Sequence, residues 1–257
     1  MLEKIPINKP KTEKQDVREI IFEEVAELEL PIKIIIEKIK SRIENGEYGL
    51  IVGDDASGRI PTLILGNFIK KVSELKEVNT PNIIFIPGKL ISISIFDKIH
   101  TKKLEEHLSK HGATKDKRIL IVTDTIKTGA SLEVLVRLIK KSGYACDIAV
   151  IGLEYPDNKN DLKQRSDYLK GVEIISGEYE KEDSDYQENP NTPMIYRKHI
   201  LGGVYKVMGR DVSRRLKPER SRKEAREIQD SVNQAREDAG VVTNNLVNWY
   251  ETLKNEK

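Results

Sequence analysis

Arg118-Ile119-Leu120-Ile121-Val122-Thr123-Asp124-Thr125-Ile126-Lys127-Thr128-Gly129-Ala130-Ser131-Leu132 decides how the rest of the chain is read. Ile119 to Val122 is an apolar run, β-branched at three of its four positions. Thr123 to Gly129 is polar and ends on glycine. From Leu132 onward, Val134, Leu135, Leu138 and Ile139 recur at helical spacing. The pattern predicts a buried strand, a tight loop and a helix start. Junctions of this kind bind phosphate, because the loop's N–H groups are free and a helix N-terminus carries about half a positive charge. Thr128 and Ser131 add hydroxyl donors. A βα turn with no ligand is the plainer alternative.

Outward from this stretch the same alternation repeats. Apolar spacing predicts helices over 16–29 and 32–44, separated by Pro31 and stopped by Asn45-Gly46. Short strands are expected at 50–52, 83–86, 148–151 and 172–175, and helices follow Pro61 and Ser131 and cover 102–110 and 161–169. Ile91 to Ile95 alternates like an edge strand. Apolar strands alternating with amphipathic helices imply an α/β fold, with a mostly parallel sheet flanked by helices. Beyond residue 177 the texture changes. Residues 178–194 form an acidic linker, and 195–257 read as a basic helical C-terminal appendage. Residues 1–44 are then an N-terminal arm and helices, and 45–177 the core.

The 257 residues suffice for a sizeable core, and the formal charge of +2 implies no partner by itself. Cys146 is the only cysteine, so no intrachain disulfide forms, and its apolar neighbours mark a buried, inert thiol. No apolar run approaches the roughly 20 residues that span a bilayer, and no signal-peptide core is present, so a cytoplasmic location is expected without membrane contact. His100, His107, His111 and His199 show no metal-ligand spacing. The basic run from Arg210 to Arg226 lacks interleaved aromatics, which leaves nucleic acid disfavoured against solvated surface or oligomer contact.

A second loop, Gly53-Asp54-Asp55-Ala56-Ser57-Gly58-Arg59, also lies between strand and helix. It has the glycine spacing of a Walker A loop. However, Arg59 replaces the lysine and Ile60 the magnesium-binding hydroxyl, which counts against a nucleoside triphosphate. A simple helix N-terminus with Ser57 as cap is the other reading.

The stretch Ile119–Leu132, with Asp124, Thr128, Gly129 and Ser131, resembles the signature of the type I phosphoribosyltransferases. The resemblance extends loosely over residues 45–177. It implies that Thr123, Asp124, Thr125, Lys127, Thr128, Gly129, Ala130 and Ser131 bind the ribose and 5-phosphate of 5-phosphoribosyl pyrophosphate (PRPP). It implies further that Asp54, Asp55, Ala56, Ser57, Gly58 and Arg59 form a pyrophosphate loop, with Asp54 and Asp55 meeting Mg2+ and with Arg59 and Asp124 as the catalytic pair. The expected partners are PRPP and a nucleobase or nucleotide, and a homo-oligomer is compatible with the family. Lys89, Lys102 and Lys103 are candidates to close over pyrophosphate. Two departures stand out: Thr123 occupies the first acidic position, and Lys127 a position usually held by threonine or an acid. Losing a charged acceptor for a sugar hydroxyl removes an interaction of about 1.5–3 kcal/mol. The resemblance implies a transferase that releases pyrophosphate. The departures leave open a non-catalytic PRPP or nucleotide sensor whose basic appendage meets a partner.

Overall fold

A computed structural model of the chain describes residues 19–54, 58–86, 97–126, 129–153, 169–177 and 222–255. The edge strand expected at 91–95, the acidic linker, most of the helix expected at 161–169, and Lys89 lie outside them. Five strands form one sheet: β1 (Tyr48–Asp54), β2 (Asn82–Ile86), β3 (Arg118–Ile126), β4 (Ala145–Leu153) and β5 (Ile174–Ser176). Every neighbouring pair is parallel, in the order β2-β1-β3-β4-β5. The helices are α1 (Glu23–Ala26), α2 (Glu29–Glu44), α3 (Arg59–Leu75), α4 (Asp97–Lys110), α5 (Ala130–Lys141) and α6 (Arg222–Asn255).

The strand order decides which helix covers which face. The chain steps from β1 one way to β2, then crosses β1 and proceeds the other way through β3, β4 and β5. A right-handed crossover therefore sends α3 to one face and α4 and α5 to the other. The core divides accordingly. Ile51, Leu120, Ala149 and Ile151 pack with α2 and α3. Leu50, Val52, Ile119, Ile121, Ile148 and Val150 pack with α4 and α5. Both faces are buried, which is why these strands read as continuous apolar runs.

The elements are longer than their apolar runs. β3 continues through Thr123, Asp124 and Thr125 to Ile126, and its ladder with β4 reaches Leu153. Backbone pairing takes no account of side-chain polarity, so residues expected in a loop form the carboxyl end of a strand. Likewise α2 begins at Glu29 with Pro31 inside its first turn, where the missing N–H has no helical partner to lose. In the described part of the first expected helix, only the single turn of α1 and Glu29, where α2 begins, are helical.

α6, 34 residues long, packs its Ala235, Ala239, Val242, Leu246 and Tyr250 into the α2–α3 side of the core. Thr243 donates to the Ile64 carbonyl at 3.4 Å, the Asn245 amide reaches Glu29 at 3.3 Å, and Tyr250 donates to Glu44. Tyr250 also meets Phe68 edge to face at 5.6 Å. The Phe22 N–H donates to Asp238 at 2.8 Å, tying the segment before α1 to the same helix.

The amino end of the sheet is held by a buried carboxylate. Asp147 of β4 is fully buried and accepts from Arg118 Nε at 2.7 Å and Nη2 at 2.5 Å, and from Arg42 Nη1 at 2.9 Å. Tyr48 donates to it at 3.3 Å. Tyr48 reaches it through a register shift between Tyr48 and Leu50, which places these residues on opposite faces although they are two apart. Gly49 occupies the bulge, and a Cβ there would lie 2.7 Å from Lys117 Cβ. Burial, reinforced by the charge of Asp147, pushes the Tyr48 hydroxyl well above the usual phenol range. Cys146 is buried on the opposite face, its thiol pushed up to about 12 chiefly by burial.

Leu246→Ala should cost about 2–5 kcal/mol in denaturant unfolding, the range for truncating a fully buried leucine. A helix peripheral to the core would give a change near zero. Because the folded state holds the Tyr48 proton more tightly than the unfolded chain, its contribution is complete below the ordinary phenol value of 10.0 and is lost as pH rises above it. Unfolding free energy measured against pH should fall more steeply above pH 10 in the wild type than in Tyr48→Phe.

Candidate functional site

In a doubly wound sheet the crevice opens at the carboxyl ends of the strands where the order reverses, because the flanking helices leave toward opposite faces there. In this chain that point lies between β1 and β3. β1 ends on Asp54, and β3 carries Thr123, Asp124 and Thr125 at the corresponding end. Two segments far apart in sequence are thus brought side by side. Gly53 pairs with Val122, one residue before Thr123.

Thr123 and Asp124 are buried, at 3% and 4% exposure, and Asp54 is partly buried. Thr123 Oγ1 lies 3.3 Å from Asp54 Oδ2 and 3.4 Å from Asp124 Oδ1. One hydroxyl therefore stands between carboxylates from two strands. Thr125 is partly buried one step further along β3, beside Gly152 of β4.

Gly58 turns the chain from β1 into α3. Its N–H donates to the Asp54 carbonyl at 3.2 Å, and its own carbonyl accepts from the Thr62 amide at 2.9 Å and the Thr62 hydroxyl at 2.5 Å. Its backbone angles suit any residue, but the space does not: a Cβ would stand 2.5 Å from the Asp54 carbonyl oxygen and 2.9 Å from that of Val122. Glycine lets α3 start directly on the ends of β1 and β3. The Gly58 amide, expected among the pyrophosphate donors, is thus engaged with Asp54.

Arg59, the first residue of α3, lays its guanidinium over the Phe85 ring at 5.3 Å. Its Nε is buried and has no hydrogen-bond partner among the described residues. Phe85 belongs to β2 and pairs with Gly53, where a Cβ would come within 2.5 Å of the ring. Phe85 belongs to no motif legible in the sequence. The signal available was an aromatic near the end of a strand facing a glycine on its neighbour.

Gly129 caps α5 in the left-handed conformation, φ 71° and ψ 0°, which a β-carbon disfavours. Its carbonyl accepts from Glu133 N at 2.8 Å, and among the described residues no side chain caps the helix. Ala130 and Ser131 form the first turn of α5. Asp55, Ala56, Ser57, Lys127 and Thr128 lie outside the described residues, as do the side chains of Ala130 and Ser131. Lys102 and Lys103 are exposed on α4, Lys102 4.0 Å from Glu106. Among the described residues no group of three or more His, Cys, Asp or Glu side chains could hold a metal ion, and no helix is long and apolar enough to cross a membrane.

No protein-family model matches the chain. A curated adenine phosphoribosyltransferase from Thermotoga petrophila is 27% identical over 151 residues, which cover 56% of this chain and 84% of that protein. The crystal structure of a purine phosphoribosyltransferase from Pyrococcus horikoshii aligns at 20% identity and a TM-score of 0.32, over 63% of this chain and 95% of that one.

Gly58→Ala should destabilise the fold by about 1–3 kcal/mol, because the intruding carbon meets backbone oxygens that have little room to yield. Gly240→Ala in α6, where a Cβ meets nothing within 4 Å, should instead stabilise by about 0.5–1 kcal/mol. Chemical denaturation of the two variants checks both signs.

Proposed function

We propose, from its distant kinship with the type I phosphoribosyltransferases, that this chain binds PRPP with Mg2+ in the β1–β3 crevice. There it transfers the phosphoribosyl group to a nucleobase or related nucleophile and releases pyrophosphate. The observation that carries the reading is topological. The two segments that resemble PRPP-binding loops end the two strands flanking the switch point, and a hydroxyl between their carboxylates joins them.

Each part of the substrate has a counterpart of suitable chemistry. The turn through Gly129 into α5 offers uncapped helix N–H groups to the 5-phosphate. Asp124, a buried carboxylate, accepts from a ribose hydroxyl. Arg59 lies at the start of α3, its buried Nε without a partner among the described residues, and its positive charge favours the departing pyrophosphate. The nucleophile's lone pair forms a bond to C1 of the ribose. The bond from C1 to the pyrophosphate oxygen breaks, and pyrophosphate leaves with the electron pair. The nucleophile's proton passes to solvent.

The donors present suit Mg2+, which binds oxygen ligands and is commonly held by one or two carboxylates together with substrate phosphates rather than by an all-protein cage. Asp54, which ends β1, and Asp124 on β3 are carboxylates of this kind. When bound, Mg2+ would neutralise charge on the pyrophosphate. The Thermotoga petrophila relative is named for adenine, so adenine is the first acceptor to test.

Titration calorimetry with PRPP and Mg2+ should show binding to the wild type and at least a tenfold loss in Asp124→Asn, as expected for a hydrogen bond to a charged acceptor. Pyrophosphate release should then depend on an added nucleobase. Absence of PRPP binding to the wild type would overturn the reading.

A further inference from the structure

We infer that Phe85 of β2 is a positioning residue for Arg59: its ring holds the guanidinium beside the ends of β1 and β3 without using the N–H donors, which stay available for the pyrophosphate end of the substrate. This rests on the PRPP reading and deepens it with a residue that neither loop contains.

Arg59 is the first residue of α3 and follows Gly58, which lies tight against the carbonyl oxygens of Asp54 and Val122. Its guanidinium carbon stands 5.3 Å from the centre of the Phe85 ring. The ring in turn has a niche made for it. Ile83, two residues earlier on β2, packs on the α2–α3 side of the core, so strand alternation turns Phe85 toward α3 as well. Opposite Phe85 on β1 stands Gly53, where a Cβ would meet two ring carbons at 2.5 and 2.7 Å and the Thr62 hydroxyl at 2.8 Å. A larger residue at position 53 would displace the ring or the first turn of α3. β1, β2 and α3 therefore contribute one residue each to a single unit.

Arginines at the opposite end of the sheet are held in another way. Arg118 and Arg42 direct N–H donors at Asp147, and Arg42 directs a further one at Glu173. An arginine fixed by carboxylates has its charge compensated and its donors occupied. A cation held against the face of an aromatic ring is attracted by the ring's quadrupole and gives up no N–H donor. It keeps its charge and its planar fork, which matches phosphate oxygens two at a time. Consistently, no acceptor among the described residues holds the buried Nε of Arg59. The ring also restricts the rotamers of a long side chain beforehand, so less freedom is lost when a ligand binds. Phe85 therefore acts through Arg59 and has no polar contact of its own to offer.

Calorimetry on the full chain in the presence of Mg2+ compares inorganic pyrophosphate, PRPP and ribose 5-phosphate. Phe85→Leu, which keeps apolar bulk but no π face, should weaken pyrophosphate and PRPP binding about fivefold, the loss expected for a partly exposed cation–π contact. It should leave ribose 5-phosphate binding unchanged. Phe85→Tyr should retain wild-type affinity for all three. If Phe85→Leu does not fold, Phe85→Met, whose flexible side chain fills irregular space, makes the same comparison. In an Arg59→Gln background, Phe85→Leu should cause no further loss, because the ring acts only through the cation. Equal weakening of all three ligands, which a merely structural role would produce, would overturn the inference. So would an unchanged pyrophosphate affinity in Phe85→Leu, or additive losses in the double variant. A wild type that binds none of the three would overturn the underlying PRPP reading instead.

Discussion

The buried carboxylate of Asp147 constrains the architecture more than any other single group. It sits in the third residue pair of a parallel ladder, where the surrounding side chains are apolar, and it is tolerated because three cationic or polar partners converge on it. Those partners come from α2, β1 and β3, so one charge fixes a helix and three strands at once. Removing one partner of such a pair costs about 3–5 kcal/mol, because an uncompensated charge stays behind in a low-dielectric interior. The arrangement also accounts for the bulge at Gly49: without that extra residue Tyr48 would face α4 and α5 and miss the cluster.

Fixing the amino end has an effect at the carboxyl end. Parallel strands rise at about 3.3 Å per residue, so a register set at Arg118 and Tyr48 determines which residues stand level at the other end of β1 and β3. Gly53 is brought opposite Val122, and Thr123 and Asp54 come within hydrogen-bonding distance. The charged anchor and the polar crevice lie at opposite ends of the same apolar ladder. Between them, Leu50, Ile51 and Val52 of β1 and Ile119 to Val122 of β3 run without a polar side chain.

The sequence disclosed the α/β class because each strand is a compact β-branched run and each helix has a clear apolar face. It also disclosed the turn at Gly129, because a glycine set between a polar stretch and a helical pattern marks the left-handed entry to a helix. It did not disclose where β3 stops. Thr123 and Thr125 are good strand residues, but Asp124 between them reads as loop, and only pairing with β4 carries the strand past it. Asp147 was equally hidden. An aspartate between Cys146 and Ile148 looks like a strand boundary, and its partners Arg42 and Arg118 are distant in sequence. The stacking of Arg59 on Phe85 depends on β1 and β2 being neighbours, which no local pattern specifies. For α6, its helical character was legible, whereas its packing on α3 was not.

Asp54 and Thr123 are 69 residues apart in the chain yet meet across adjacent strands. The crevice therefore does not exist until β1 has accepted β3, after the excursion through α3, β2 and α4. Contacts of such long sequence separation form late and break with the whole sheet. A molecule held across the two strand ends would accordingly stabilise the native state by mass action against global unfolding, and not merely against local fraying of one loop. Occupancy of the crevice and cooperativity of the entire sheet are, on this topology, two readouts of the same equilibrium.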